Sequence, residues 1–141
     1  MLYADFLKNL KTCPFCKNED RWLKEEKTAF LTYALAPYAK HHLLVIPKRH
    51  IASFVKLTDA EEKDIDKLIM AGMKLLHKLK HKNISILTRD GDHSEKSVEH
   101  LHYHLIPNHR IGDIDARGNK RRVMSEKEVQ KIIKDFARVR K

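Results

Sequence analysis

Long apolar runs are missing from this sequence. The longest plainly hydrophobic stretch, Leu43–Ile46, falls far short of the roughly 20 residues that cross a bilayer, so no membrane span is expected. Glycine and proline number only four each in 141 residues, which excludes collagen-like repeats. With 42% apolar and 34% charged side chains, disorder and low complexity are excluded as well. The first ten residues are interrupted by Asp5 and Lys8 and hold no small-residue cleavage pattern, so no secretory leader is expected and the chain reads as cytoplasmic. Cysteine is scarce too, with two residues, both in Cys13-Pro14-Phe15-Cys16. A lone pair in a cytoplasmic chain argues against a structural disulfide and leaves a redox pair or half of a metal site. The polar Lys17-Asn18-Glu19-Asp20 follows, where a redox pair would open a helix. Half a metal site is therefore favoured, provided two more ligands exist.

What the chain has in excess is positive charge and histidine. The formal net charge is +10, and residues 71–141 hold most of it, with 17 basic and nine acidic side chains. Such a surface draws polyanions and speeds their arrival without naming them; it also serves plain solubility. A length of 141 residues suits one domain with its own core. We read a body over residues 1–107 and a basic extension over 108–141 that belongs to the same domain.

Periodicity supplies the elements. Leu2, Phe6, Leu7 and Leu10 suit a short helix. Strands are expected over 21–26, 28–34 and 42–46, the last stopped by Pro47. Thr58 and Glu61 form a capping box that opens a helix to about Lys80, with Ile65, Leu68, Ile69, Met73, Leu76 and Leu79 on one face. Further strands are expected over 84–88 and 98–106, and Ser125 with Glu128 caps a last helix bearing Val129, Ile132, Ile133 and Phe136. Strands grouped on either side of one long helix imply an α+β fold with a mostly antiparallel sheet.

Three of the ten histidines alternate in His100-Leu101-His102-Tyr103-His104-Leu105-Ile106-Pro107. On a strand, all three rings face one way, about 6–7 Å apart at twice the ~3.3 Å rise per residue. One ring can then attack an atom while the next touches a group bonded to it. A half-exposed polar strand or a metal-binding face is the plainer alternative.

This run resembles the mark of the histidine-triad (HIT) superfamily, His-φ-His-φ-His-φ-φ with φ apolar. A second stretch, His42-Leu43-Leu44-Val45-Ile46-Pro47-Lys48-Arg49-His50, is similar to the family's upstream strand and turn. The resemblance implies a HIT-like fold and a nucleotide hydrolase or nucleotidyltransferase acting at the α-phosphate, on a dinucleoside polyphosphate or a nucleoside phosphoramidate. It casts His102 as the nucleophile that forms a nucleotidyl-histidine, His104 as its assistant, and Ser97 and His42 as residues at the phosphate and pocket. Zinc-bearing members imply Cys13, Cys16, His50 and His100 as ligands of one structural Zn²⁺. The family also implies a homodimer.

The chain departs from the family pattern in places. It has Thr32 where many members carry a ribose-binding Asp, Arg89 where an Asn is common, and Glu95-Lys96 for a frequent Gly-Gln pair. Arg89 and Lys96 add charge near the phosphate and predict a more highly charged substrate. Residues 107–141 hold 11 basic side chains, among them Arg110, Arg117, Lys120, Arg121 and Arg122, but little aromatic interleaving. A solvated tail with one packed helix face is favoured there over a nucleic-acid clamp. The rival from another class is a catalytically weak nucleotide or nucleic-acid binding module on the same scaffold. A metal-handling protein that uses its many histidines is a third.

Overall fold

Alternation along the central strands decides the architecture. The computed structural model describes residues 1–8, 12–16, 19–91, 99–108 and 121–140. Its elements are α1 (Tyr3–Lys8), β1 (Trp22–Glu25), β2 (Ala29–Tyr33), β3 (Leu43–Pro47), α2 (Asp59–Lys78), β4 (Ile84–Thr88), β5 (Tyr103–Pro107) and α3 (Glu126–Val139). The strands form one sheet in the order β1-β2-β3-β5-β4, with every pairing antiparallel. The expected α+β fold is borne out.

Leu31, Tyr33, Leu43, Val45, Tyr103 and Leu105 face α2 and α3 and join Ile65, Leu68, Leu76, Ile132 and Phe136 in the main core. Their neighbours in sequence face the other way, where Phe30, Ala34, Leu44 and Ile46 make a smaller cluster with Phe15 and Trp22. The triad and His42 share the parity of this second face. Helix α2 lies close against the sheet at Gly72, where an added Cβ would stand 2.6 Å from Leu105 Cδ1 and 3.3 Å from Leu31 Cδ1.

Both capping boxes form as expected, Thr58 with Glu61 and Ser125 with Glu128. None of the described helices is long and apolar enough to cross a membrane.

The expectation of a strand over 98–106 needs correcting. Val98 lies outside the described residues, and β5 begins only at Tyr103. Val45 pairs with Tyr103, so the next rung would join Pro47 to Leu101. Pro47 has no N–H to give, and its carbonyl accepts a hydrogen bond from His100 Nε2 at 2.7 Å. Leu101 N–H turns instead to Ile51 O at 2.7 Å. The ladder stops because its next rung has lost both partners.

At the other end of β3, His41 has φ 70°, a left-handed conformation uncommon for a residue with a Cβ. Its buried ring joins a relay. Asn108 Nδ2–H donates to His81 Nδ1 at 2.8 Å, His81 Nε2–H to His41 Nδ1 at 2.8 Å, and His41 Nε2–H to Asp135 Oδ2 at 2.7 Å. With both rings neutral every contact has one donor and one acceptor. The relay ties the ends of α2 and β5 to α3.

Burial, reinforced by His41 and Lys40, lowers the affinity of His81 for a proton. Burial pushes the Asp135 carboxyl up, but the His41 hydrogen bond and nearby cations outweigh it and leave it below the usual range. Both groups are depressed in the fold, so their contribution is complete above the unfolded values of about 6.5 and 3.9 and is lost as pH falls below them. Thermal melts should therefore show a Tm that declines between pH 7.5 and 5.5, with a shallower decline in His81→Gln. At pH 7, Asp135→Asn should cost about 1–2 kcal/mol in denaturant unfolding.

Candidate active site and metal centre

The residues after Pro47 and before Tyr103 bring His50 and His100 to Cys13 and Cys16. Cys13 Sγ lies 3.4 Å from His100 Nδ1, Cys16 Sγ lies 3.5 Å from the same atom, and Cys16 Sγ is 3.2 Å from His50 Nδ1. All four ligand atoms fall within 4.8 Å of one another, and the two thiols are not joined in a disulfide. A tetrahedral zinc with Zn–S of ~2.3 Å and Zn–N of ~2.0 Å sets its S and N ligands about 3.5 Å apart. The set fits that ion.

The orientation of His100 supports the fit. Its Nε2–H donates to the Pro47 carbonyl, which leaves the Nδ1 lone pair directed at the thiols, as an outer-shell partner of a ligating histidine does. His100 is fully buried, whereas Cys16 and His50 lie at the surface.

Between the two cysteines, Phe15 turns inward. Its ring stands edge-on to His102 at 5.0 Å and to His100 at 6.0 Å. The cysteine turn therefore forms one wall of the histidine site. Phe30, stacked on Trp22 at 4.5 Å, belongs to the same sheet face.

The backbone settles the tautomers. His102 Nδ1–H donates to the His100 carbonyl at 2.7 Å, so the His102 lone pair resides on Nε2. Tyr38 N–H donates to His42 Nδ1 at 3.1 Å, which makes His42 Nε2–H the donor to His104 Nδ1 at 2.9 Å. A neutral His104 then carries its own proton on Nε2. Two rings 4.8 Å apart thus present opposite functions, a nucleophilic lone pair on His102 and a hydrogen-bond donor on His104. They also stand closer than the 6–7 Å spacing of a regular strand.

Burial, followed by the charges of His42, His102, Arg121 and Arg89, holds His104 well below the ordinary histidine value. Near neutral pH it is an uncharged donor.

Other sequence-selected residues sort clearly. Arg89 follows β4 and its charge is felt at His104. Ser97 and Lys96 lie outside the described residues, as do Arg110, Arg117 and Lys120. Thr32 is buried and its hydroxyl donates to the Arg21 carbonyl at 2.9 Å, so the position that often holds an Asp faces the backbone here. Tyr38, the wedge of Phe15 and the His41–His81–Asp135 relay were not singled out from sequence. Tyr38 four residues before His42 is a turn spacing that could have signalled the first of them.

A comparison with known families matches residues 17–111 to the HIT domain. The chain belongs to the HIT domain family. An adenosine 5'-monophosphoramidase of Schizosaccharomyces pombe is 34% identical over 101 residues, covering 68% of this chain and 74% of that protein. A bis(5'-adenosyl)-triphosphatase of Saccharomyces cerevisiae is 32% identical over 92 residues, 59% of this chain and 43% of that one. Among solved structures, a hypothetical histidine triad nucleotide-binding protein of Sulfolobus tokodaii superposes with a TM-score of 0.72 at 20% identity, covering 90% of this chain and 91% of its own. A Zn-bound histidine triad family protein of Mycobacterium smegmatis superposes at 0.60 and 17% identity, covering 96% and 92%. Both structures share the HIT fold with this chain, and its sequence relatives include nucleotide hydrolases.

The tautomer chain can be tested directly. In His42→Ala the ring that donates to His104 Nδ1 is gone and the site is more open to water, so the His104 pKa should rise toward the ordinary histidine value. Histidine ring NMR titrations of the two proteins check this, and an unmoved or lower value would refute the arrangement.

Proposed function

We propose that this HIT domain is a nucleotide hydrolase or nucleotidyltransferase that cleaves at the α-phosphate through a nucleotidyl-histidine. The observation that carries the reading is the opposite polarity of the two neighbouring rings, with the lone pair of His102 on Nε2 and the proton of His104 on Nε2. His102 Nε2 attacks phosphorus and a P–N bond forms. The P–O or P–N bond to the leaving group breaks, the leaving group keeps the electron pair, and solvent supplies its proton. His102 keeps its proton on Nδ1, and the His100 carbonyl it faces stabilises the cationic ring of the intermediate.

His104 keeps its proton throughout. It donates a hydrogen bond to the phosphoryl oxygen or the leaving atom, where charge develops. Water then attacks phosphorus, releases a proton to solvent, and returns the electron pair to His102 Nε2. His42, held by the Tyr38 backbone, keeps the His104 proton aimed at the site. Arg89 adds positive potential for the anionic substrate; Ser97 and Lys96 are further phosphate-binding residues in this reading.

Cys13, Cys16, His50 and His100 hold one structural Zn²⁺ in the same reading. Two thiolates neutralise the ion, four protein ligands leave no position for water, and the metal joins the N-terminal turn to the backbone that carries His102. The S. pombe phosphoramidase and the S. cerevisiae triphosphatase support a nucleoside phosphoramidate or a dinucleoside polyphosphate as the substrate class.

Two variants test the proposal. A substrate labelled at the α-phosphate should leave label on the wild-type protein after acid-free quenching, and His102→Ala should leave none while retaining its circular dichroism and metal content. A binding module forms no adduct in either. Cys13→Ser should reduce bound zinc from one equivalent and lower the Tm by about 10 °C, the equivalent of a few kcal/mol in a domain of this size. Zinc held at one equivalent in that variant would overturn the ligand set.

A further inference from the structure

The C-terminal segment reaches the site through Arg121. Residues 121–124 are held by backbone hydrogen bonds on two sides: Tyr3 N–H to Arg121 O at 3.0 Å, Val123 N–H to Met1 O at 2.7 Å, and Met124 N–H to Leu35 O at 3.0 Å. Leu2 and Arg122 form a β-bridge. The Arg121 guanidinium packs against two aromatic rings, 4.6 Å from the Tyr3 centroid and 4.1 Å from that of Tyr38. Nη1 donates to Ala36 O at 3.2 Å. Contact with two rings holds the planar group in place.

Arg121 lines the same cleft as His42, His104 and Phe15. Among the described residues no carboxylate pairs with it. The contrast with other arginines is informative, because Arg49 pairs with Glu61 and the adjacent Arg122 with Glu128. Arg21 lines this cleft as well and likewise has no carboxylate partner among the described residues. Two arginines with no carboxylate partner among the described residues thus flank a cleft lined by His42 and His104. A single reacting phosphodiester or phosphoramidate brings one negative charge; two guanidinium groups match a substrate with more.

We propose that Arg121 is a specificity-determining residue that binds the negative charge a nucleotide carries beyond its reacting phosphate, so that the site favours nucleoside di- and polyphosphates over monophosphates. The inference rests on the nucleotide reading above and deepens it. The stack on Tyr3 and Tyr38 presets the guanidinium, so less side-chain freedom is lost when the anion arrives. Charge-assisted hydrogen bonds of this kind are equivalent to about ten- to hundredfold in affinity.

Calorimetric titration with AMP and with the non-hydrolysable α,β-methylene analogues of ADP and ATP tests the assignment. Wild-type protein should bind the two analogues more tightly than AMP, and Arg121→Gln should narrow the ATP-analogue to AMP affinity ratio at least tenfold. Lys63→Gln, which removes the same charge from the exposed side of α2, should leave the ratio unchanged. The wild-type ratio should also shrink between 50 and 500 mM salt, a readout that survives if Arg121→Gln does not fold. No preference in the wild type, a ratio indifferent to salt, or equal losses for all three ligands in Arg121→Gln would overturn the role of Arg121. Wild-type protein that binds AMP and forms the covalent adduct yet shows no preference sinks this inference alone. Protein that binds none of the three ligands sinks the nucleotide reading with it.

Discussion

The hydrogen bond from His100 Nε2 to the carbonyl of Pro47 organises everything around it. A neutral hydrogen bond contributes only about 1 kcal/mol net, yet three consequences hang on this one. It occupies the acceptor that another rung between β3 and β5 would need, so the chain before Tyr103 leaves the ladder. It directs the other nitrogen of His100 toward Cys13 and Cys16. It also fixes the peptide whose carbonyl accepts from His102 Nδ1. The four-ligand cluster and the His102 tautomer are therefore two outputs of one backbone geometry.

Imidazole is ambiguous by itself, since each neutral ring offers one donor and one acceptor in either order. Here backbone groups remove the ambiguity at one end of each chain of rings. Tyr38 N–H fixes His42 and through it His104; the His100 carbonyl fixes His102. Burial does the rest by keeping the charged form of His104 costly. Adjacent His41 and His42 show how far position matters, because the left-handed turn at His41 sends one ring into a relay with α3 while the next enters the site.

Much of this was legible in the sequence, for identifiable reasons. The two capping boxes, the helical apolar face from Ile65 to Leu76 and the β2 and β3 runs are local patterns, and each appears where its residues demand. Parity along 100–104 correctly places three rings on one side. The early end of β5 was not legible, because it depends on Pro47, more than fifty positions away, losing both of its ladder partners. Tyr38, Phe15 and Asp135 escaped for the same reason. Their roles come from contacts across the fold, and no spacing in the chain encodes which carbonyl or ring they will meet. The grouping of Cys13, Cys16, His50 and His100 came through resemblance to a family, and the ligand distances supply the physical ground that spacing lacked.

The first residues and the segment just before α3 meet where the chemistry is proposed. A helix of six residues such as α1 is far too short to persist alone in water, so its order derives from the bridge between Leu2 and Arg122 and from the stacking of Tyr3 on Arg121. The same guanidinium also stacks on Tyr38, whose backbone N–H fixes His42. One side chain thus links the order of α1 to the proton arrangement of the histidines. Any anion that draws the guanidinium deeper into the cleft acts on both at once.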